Sequence, residues 1–147
     1  MSERSPVIKN RKAAYDYHLL QSFTAGMVLT GSEVKSIRNG EVNLGDAYCT
    51  LEGEELYIRN MYVKEFAQAS HYNHDPKRTR KLLLNRHELK KIALKLKEKG
   101  TTLVPIQLFF NEKGYVKLEI ALAKGKKSYD KREDVKKREL EREMRQA

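Results

Sequence analysis

The chain has 147 residues, a length that suits one folded domain with a modest core. Its formal net charge of +10 favours a polyanionic partner, nucleic acid first and an anionic membrane surface second. No run of about 18 apolar residues would span a bilayer, and residues 1–12 lack the apolar centre of a signal peptide. The single cysteine, Cys49, agrees with a cytoplasmic protein without membrane association, and we expect it to be a small buried residue.

The periodic part of the sequence, residues 13–123, predicts mainly β-strands, whereas residues 1–12 are polar and basic and are interpreted as an N-terminal arm. The predicted strands cover residues 17–23, 26–29, 47–51, 55–63, 103–110 and 115–123. Turn residues at 52–54 and 111–114 join four of them into two β-hairpins, and short strands joined by turns favour a small sandwich or barrel. Four apolar residues alternate along the last strand and are predicted to share a buried face: Val116, Leu118, Ile120 and Leu122.

Two helices interrupt the strands. The first is predicted over residues 30–40, with Thr30 as its N-cap and Glu33 completing a capping box. The second is predicted over residues 85–100, with Asn85 as its N-cap and Glu88 at the third helical position. Apolar residues at helical spacing are expected to face the core from the second helix: Leu89, Ile92, Ala93 and Leu96.

Positive charge is concentrated in residues 77–99, which contain ten basic residues and two acids, Glu88 and Glu98. Such a segment can serve solubility alone, but its excess of positive charge favours binding to nucleic acid, since each cation at a phosphate releases a condensed counterion. The basic residues are Lys77, Arg78, Arg80, Lys81, Arg86, Lys90, Lys91, Lys95, Lys97 and Lys99.

The sequence predicts no catalytic, metal or cofactor site. His71 and His74 have a spacing that suits a metal, but without cysteines nearby they are interpreted as part of a polar loop. Asp130, Glu133 and Asp134 would be the acids of a metal-dependent nuclease, yet basic residues lie between and beside them and favour solvated ion pairs. We therefore expect a binding protein and not an enzyme.

Five motifs occur in order along nearly the whole chain, over about residues 7–138. They are NRKAAYDY, TGSEVKSIR, DAYCTLEGEELYIRNMYV, HYNHDPKRTRKLLLNRHEL and GKKSYDKRE. In this order and spacing they resemble the SsrA-binding protein family, also called small protein B. Without the motifs, the charge and strand pattern would equally fit a generic RNA-binding barrel, such as a translation factor or ribosomal protein.

The resemblance implies a closed six-stranded antiparallel barrel related to the oligonucleotide-binding fold, with flanking helices. It implies binding to the tRNA-like domain of tmRNA, support of its aminoacylation, and delivery to stalled ribosomes for trans-translation. The expected partners are tmRNA and the stalled ribosome with its ribosomal RNA, and the protein is expected to act as a monomer, 1:1 with tmRNA. No cofactor or metal is implied.

The resemblance also assigns site residues by motif. Glu33, Leu83 and Asn85 correspond to RNA-recognition positions, and charge and position add four cations: Arg38, Arg78, Arg80 and Lys81. Three roles stay open for Glu33, which are to read RNA, to hold a neighbouring arginine, or only to cap its helix. Asn85 has the same choice between RNA contact and capping.

The last 24 residues, 124–147, form a basic tail that we expect to be disordered in the free protein, because they carry too few apolar residues to offset the entropy of ordering them. Residues 1–123 are expected to fold as the RNA-binding domain. Six tail residues match a pattern that the resemblance assigns to the ribosome: Lys126, Lys127, Tyr129, Asp130, Lys131 and Arg132.

Overall fold

The computed structural model describes residues 6–66 and 73–126, which form nine β-strands and three α-helices. In chain order they are β1 (Ile8–Lys9), α1 (Arg11–Asp16), β2 (Tyr17–Met27), α2 (Gly31–Arg38), β3 (Val42–Asn43), β4 (Tyr48–Glu52), β5 (Glu55–Arg59), β6 (Tyr62–Val63), β7 (Arg80–Leu83), α3 (Arg86–Leu96), β8 (Thr101–Phe110) and β9 (Val116–Gly125). No helix in these residues is both long and apolar enough to cross a membrane.

Seven strands form one antiparallel sheet in the order β1-β8-β9-β2-β7-β5-β4, and β3 pairs with β6 in a separate two-stranded ribbon. Both predicted hairpins are confirmed, since β4 pairs with β5 and β8 pairs with β9. The strands predicted at residues 17–23 and 26–29 form one continuous strand, β2, which ends at Met27.

The prediction of a closed six-stranded barrel is wrong, because the large sheet has seven strands and stays open. Cα atoms of β4 come within 8 Å of β8, but no ladder joins these two strands in the described residues. The free edge of β8 is already occupied: β1 pairs with Gln107 and Leu108, the Asn10 amide donates to the Ile106 carbonyl, and Asn10 Nδ2 donates to the Pro105 carbonyl. Pro105 also has no amide hydrogen to offer to a further strand.

The described part of the N-terminal arm is ordered against the sheet, which the sequence did not indicate. It contains β1 and the start of the six-residue helix α1, whose Ala13 packs against Val104 and Ala123 in a small cluster. Elements this short have too few residues to show an apolar period. The N-cap of α1 is Asn10, whose Oδ1 accepts from the Ala13 amide at 3.4 Å.

The main core lies on the other side of the sheet. All four residues of the alternating stripe in β9 are buried there, as predicted, together with Ile37 from α2 and Ile92 from α3. Cys49 is also buried in this cluster, and burial raises the pKa of its thiol to about 12. The thiol therefore stays protonated and inert at physiological pH.

Both predicted helices are confirmed, as are the capping box of Thr30 with Glu33 and the N-cap Asn85. Thr30 accepts from the Glu33 amide while the Glu33 carboxylate accepts from the Thr30 amide, and Asn85 and Glu88 make the same exchange at the start of α3. Gly40 follows α2 with a φ of 76°, a left-handed conformation that ends a helix without a side-chain clash. The local sequence thus specifies where α2 begins and ends.

We predict that Asn10→Ala lowers the free energy of unfolding by about 1–2 kcal/mol, because the buried amide caps α1 and satisfies the Pro105 carbonyl. Urea unfolding followed by circular dichroism measures the change. Asn39→Ala is the matched control, since Asn39 is exposed and is expected to change stability by less than about 0.5 kcal/mol. Equal effects of the two substitutions would contradict the role of Asn10.

Candidate nucleic-acid interface

Glu33 lies in the first turn of α2 and is fully buried. Its Oε1 accepts a 2.8 Å hydrogen bond from the Thr30 backbone amide, and its own amide donates to Thr30 Oγ1 at 3.3 Å. The capping box therefore fixes the position of the carboxylate. A carboxylate in this position also interacts favourably with the positive end of the helix dipole.

Two arginines from the segment before and within β7 complete the surroundings of Glu33. Arg78 donates through Nη2 to Oε1 at 2.7 Å and through Nε to Oε2 at 3.1 Å, while Arg80 donates through Nε to Oε2 at 2.5 Å. The two remaining nitrogens of Arg80 donate to the carbonyls of Met61 (2.7 Å) and Pro76 (3.1 Å). We call Glu33, Arg78 and Arg80 the buried ion cluster.

The electrostatics of the cluster follow from these contacts. Burial acts to raise the pKa of Glu33, but the hydrogen bonds from Arg78 and Thr30 and the charge of Arg80 outweigh it and lower the pKa to about 2. Burial lowers the pKa of Arg80, and the hydrogen bond to Glu33 raises that of Arg78. All three side chains are therefore charged near neutral pH, since guanidinium groups do not lose their proton in proteins.

This geometry bears directly on the roles that the sequence left open for Glu33. Glu33 and Arg80 both have 0% relative exposure, so neither presents an atom to a ligand in this structure. Glu33 both caps its helix and holds the two arginines. We therefore expect a nucleic-acid interface to consist of exposed residues that the buried ion cluster holds in position.

Arg78 connects the buried ion cluster to the outer face of the sheet. Its Nη2 donates to the Val28 carbonyl at 3.0 Å, and the Val28 amide donates to the Lys81 carbonyl at 3.0 Å. The segment after β2 is thus held against β7 from two sides. The Arg78 side chain is itself 34% exposed, so part of the guanidinium remains accessible.

Strands β7, β2 and β9 bring a set of residues together on this outer face. Gly26 of β2 is the register partner of both Leu83 in β7 and Lys117 in β9. Leu83 is 49% exposed and Val28 45% exposed, so this face presents aliphatic side chains to solvent. We call this set the outer-face patch: Gly26, Val28, Lys81, Leu83 and Lys117.

Asn85 lies next to the patch, at the start of α3, and its predicted role as N-cap is confirmed. Its Oδ1 caps the helix by accepting from the Glu88 amide at 2.8 Å. Its Nδ2 makes no hydrogen bond within the described residues and the side chain is exposed. The oxygen can therefore cap the helix while the nitrogen donates to a ligand.

An open groove of about 680 Å³ runs between the β4–β5 hairpin and the start of α3. Lys81 and Leu83 line it from the sheet, and Arg86 and Lys90 line it from the helix. The Lys81 ammonium pairs with Glu55 at 3.0 Å across the groove. The groove continues the outer-face patch toward the basic side of α3.

The basic segment, residues 77–99, is divided by the fold into two groups. Four of its ten cations have a carboxylate partner: Arg78 and Arg80 with Glu33, Lys81 with Glu55, and Lys95 with Glu98. The other six make no ion pair within the described residues and are exposed. These are Lys77, Arg86, Lys90, Lys91, Lys97 and Lys99.

The other predicted site residues are not in the outer-face patch. Arg38 is exposed at the C-terminal end of α2, with its guanidinium carbon 5.4 Å from the centroid of the Phe110 ring. Lys126 Nζ donates to the Ala14 carbonyl at 3.4 Å. Five predicted tail residues lie outside the described residues: Lys127, Tyr129, Asp130, Lys131 and Arg132.

His74, which the sequence placed in a polar loop, is buried and has a structural role. Its Nε2 donates to the Val63 carbonyl at 2.9 Å, so its Nδ1 is free to accept from the Ser32 hydroxyl at 2.8 Å. The ring joins α2 to β6 beside the buried ion cluster. Residues 6–66 and 73–126 contain no group of three or more potential metal ligands, and His71 lies outside these ranges.

Comparison with known proteins identifies the family. The family described as "SmpB protein" matches residues 7–147. The chain belongs to the SmpB family. This confirms the resemblance that the motifs indicated.

Relatives in the SmpB family match almost the full chain. The SsrA-binding protein of Symbiobacterium thermophilum is 51% identical over 146 residues, which cover 99% of this chain and 92% of the relative. The SsrA-binding protein of Cytophaga hutchinsonii is 52% identical over 137 residues, which cover 93% of this chain and 90% of the relative. A solved structure described as "tmRNA-SmpB: a journey to the center of the bacterial ribosome" contains a similar chain, with a TM-score of 0.72 and 46% identity, covering 86% of this chain and 89% of that one.

We predict that Glu33→Gln destabilises the fold in a pH-dependent way. The substitution leaves the Arg80 charge buried without its counter-charge, which costs about 3–5 kcal/mol near neutral pH. The pKa of Glu33 is lowered in the folded state from 4.5 to about 2. The stabilisation is therefore complete above about pH 4.5 and is lost as the pH falls toward 2.

Urea unfolding of the wild type and Glu33→Gln at about pH 7 and pH 3 measures this effect, and the difference in stability should narrow at the lower pH. Glu54→Gln is the control, since Glu54 is exposed in the β4–β5 turn and its substitution should change stability by less than about 0.5 kcal/mol. A stability difference for Glu33→Gln that is the same at both pH values would refute the ionic role of this carboxylate.

Proposed function

We propose that this protein binds tmRNA through the tRNA-like domain and takes part in trans-translation, the rescue of stalled ribosomes. The observation that carries the proposal is the 46% identity and TM-score of 0.72 to a chain of the tmRNA–SmpB structure in the bacterial ribosome. Relatives that match nearly the full chain at about half identity are SsrA-binding proteins, which supports the same function. In this role the protein supports aminoacylation of tmRNA and its delivery to the ribosome.

The proposed binding surface has two parts with different physical tasks. The six exposed cations that make no ion pair with the described residues neutralise phosphates and supply most of the affinity, which is sensitive to salt and not to sequence. Leu83 and Asn85 supply selectivity, because an exposed aliphatic group contacts a base face and a free amide nitrogen donates to a base or ribose oxygen. Glu33 and Arg80 position these groups from beneath.

A binding role is proposed without a catalytic one. The proposed site consists of cations, an amide and an aliphatic side chain, and each of these groups recognises RNA without reacting with it. We further propose a monomer that binds tmRNA 1:1 and works in the cytoplasm, where its ribosomal partner translates. A generic RNA-binding protein would carry the same kind of cations but would not prefer tmRNA over other RNAs.

We predict that the purified protein binds tmRNA, and its isolated tRNA-like domain, at least tenfold more tightly than ordinary tRNA or duplex RNA, a difference of about 1.4 kcal/mol. With six phosphate contacts, the affinity should fall roughly a thousandfold between about 50 and 200 mM salt. Filter binding with unlabelled competitor RNAs measures both quantities. Equal affinity for all three RNAs would favour the generic RNA-binding protein instead.

We further propose that the tail, residues 124–147, acts on the ribosome, while the body of the protein, residues 1–123, binds tmRNA. The strand β9 continues to Gly125, two residues past the predicted boundary at residue 123, so a chain that ends after Lys126 keeps every described strand. The tail positions Asp130, Lys131 and Arg132 lie beyond this point. Lys131 and Arg132 suit contacts with ribosomal RNA phosphates, and Asp130 suits contacts with basic groups.

We predict that replacing Asp130, Lys131 and Arg132 together with alanine leaves tmRNA affinity within about threefold of wild type, because these residues lie outside the body. The same variant should abolish tagging on stalled ribosomes in a reconstituted translation system. Lys90→Ala with Lys91→Ala is the opposite control, which is expected to weaken tmRNA binding. Wild-type tagging by the tail variant would disprove the assignment.

A further inference from the structure

Ser32 and His74 form a hydrogen-bonded pair of a nucleophile and a base beside the buried ion cluster. Ser32 is the second residue of α2 and is partly buried, while His74 lies between β6 and β7 and is 7% exposed. The Ser32 hydroxyl donates to His74 Nδ1 at 2.8 Å, a distance typical of a serine nucleophile and its base. The proposed RNA-binding function gives neither side chain a chemical role.

The fold determines which imidazole nitrogen can take the hydroxyl proton. His74 Nε2 donates to the Val63 carbonyl of β6 at 2.9 Å, so Nε2 carries the hydrogen of the neutral ring. Nδ1 is then the unprotonated nitrogen and faces the Ser32 hydroxyl. A base whose ring is oriented by a third group is the arrangement that activates serine and cysteine nucleophiles.

The backbone at Ser32 offers donors for an oxyanion. The amides of Gly31 and Ser32 lie in the first turn of α2, where no preceding helical carbonyl is available to accept from them. Neither amide makes a hydrogen bond within residues 6–66 and 73–126. Backbone amides next to a nucleophile stabilise the negative charge that develops on a carbonyl oxygen under attack.

The charges near His74 permit its ring to become positive during a reaction. Arg78 and Arg80 are both paired with Glu33. Asp75 follows His74 directly in the chain and also acts electrostatically on Arg80. The two positive charges are therefore matched by two negative ones, and a protonated imidazole meets no net repulsion from these groups.

We propose that Ser32 is an activated nucleophile that accepts an acyl group from an activated ester or thioester, with His74 as its general base. The Ser32 oxygen attacks the carbonyl carbon while its proton moves to His74 Nδ1. The bond from that carbon to the leaving oxygen or sulfur then breaks, the leaving group takes the proton, and the acyl group stays on Ser32 as an ester. Acylated Ser32 can no longer donate to His74, so the modification removes a link between α2 and β6.

Reaction of the full chain with p-nitrophenyl acetate tests the nucleophile. Peptide mapping by mass spectrometry at short times measures the rate at which each serine gains an acetyl group. Ser22 is the control within the same chain, since it is exposed on β2 and its side chain makes no hydrogen bond within the described residues. We expect Ser32 to be acetylated about a hundredfold faster than Ser22, because general-base catalysis contributes at least about that factor.

A second variant tests the base. His74→Gln should slow acetylation of Ser32 about a hundredfold, whereas His87→Gln, at an exposed histidine of α3, should change the rate less than about threefold. If circular dichroism shows that His74→Gln does not fold, the comparison of Ser32 with Ser22 in the wild type still decides. Acetylation of Ser32 no faster than that of Ser22, or an unchanged Ser32 rate in folded His74→Gln, overturns the proposal, whether or not the protein binds tmRNA.

Discussion

The burial of Glu33 between Arg78 and Arg80 is the constraint on which the arrangement of α2, β7 and the outer-face patch depends. A charge removed from water is tolerated only when its partners are complete, and here each carboxylate oxygen accepts two hydrogen bonds. If any one partner is removed, a charge remains in the low-dielectric interior without its counter-charge, which destabilises the fold. The cluster therefore fixes α2, the segment before β7 and β7 itself in one relative arrangement.

This constraint explains why a protein with a net charge of +10 buries an acid beside two of its arginines. Uncompensated guanidinium groups at Arg78 and Arg80 would repel each other and the cations around them. Glu33 offsets that repulsion by pairing with both arginines. Through Arg78 and the Val28 carbonyl, the same carboxylate also determines how β2 lies against β7.

Local sequence signals determined much of the fold, because capping boxes and hairpin turns involve residues only a few positions apart. The starts of two helices, at Thr30 with Glu33 and at Asn85 with Glu88, were predictable on that basis, and so was the turn before Tyr115. The open sheet was not, because it depends on Asn10 binding a strand 95 residues later. For the same reason the sequence left three roles for Glu33, whose arginine partners are 45 and 47 residues away.

The sequence predicted which residue types the site contains, but not which of their side chains lie together on the surface. The excess of positive charge in residues 77–99 indicated RNA, yet only strand pairing decides that Arg80 points inward while Leu83, three residues on, faces solvent. Pairing also places Leu83 and Lys117, which are remote in sequence, on either side of Gly26. Because these groups lie on paired strands and not on a loop, little entropy remains to be lost on binding, so a small set of contacts suffices for selectivity.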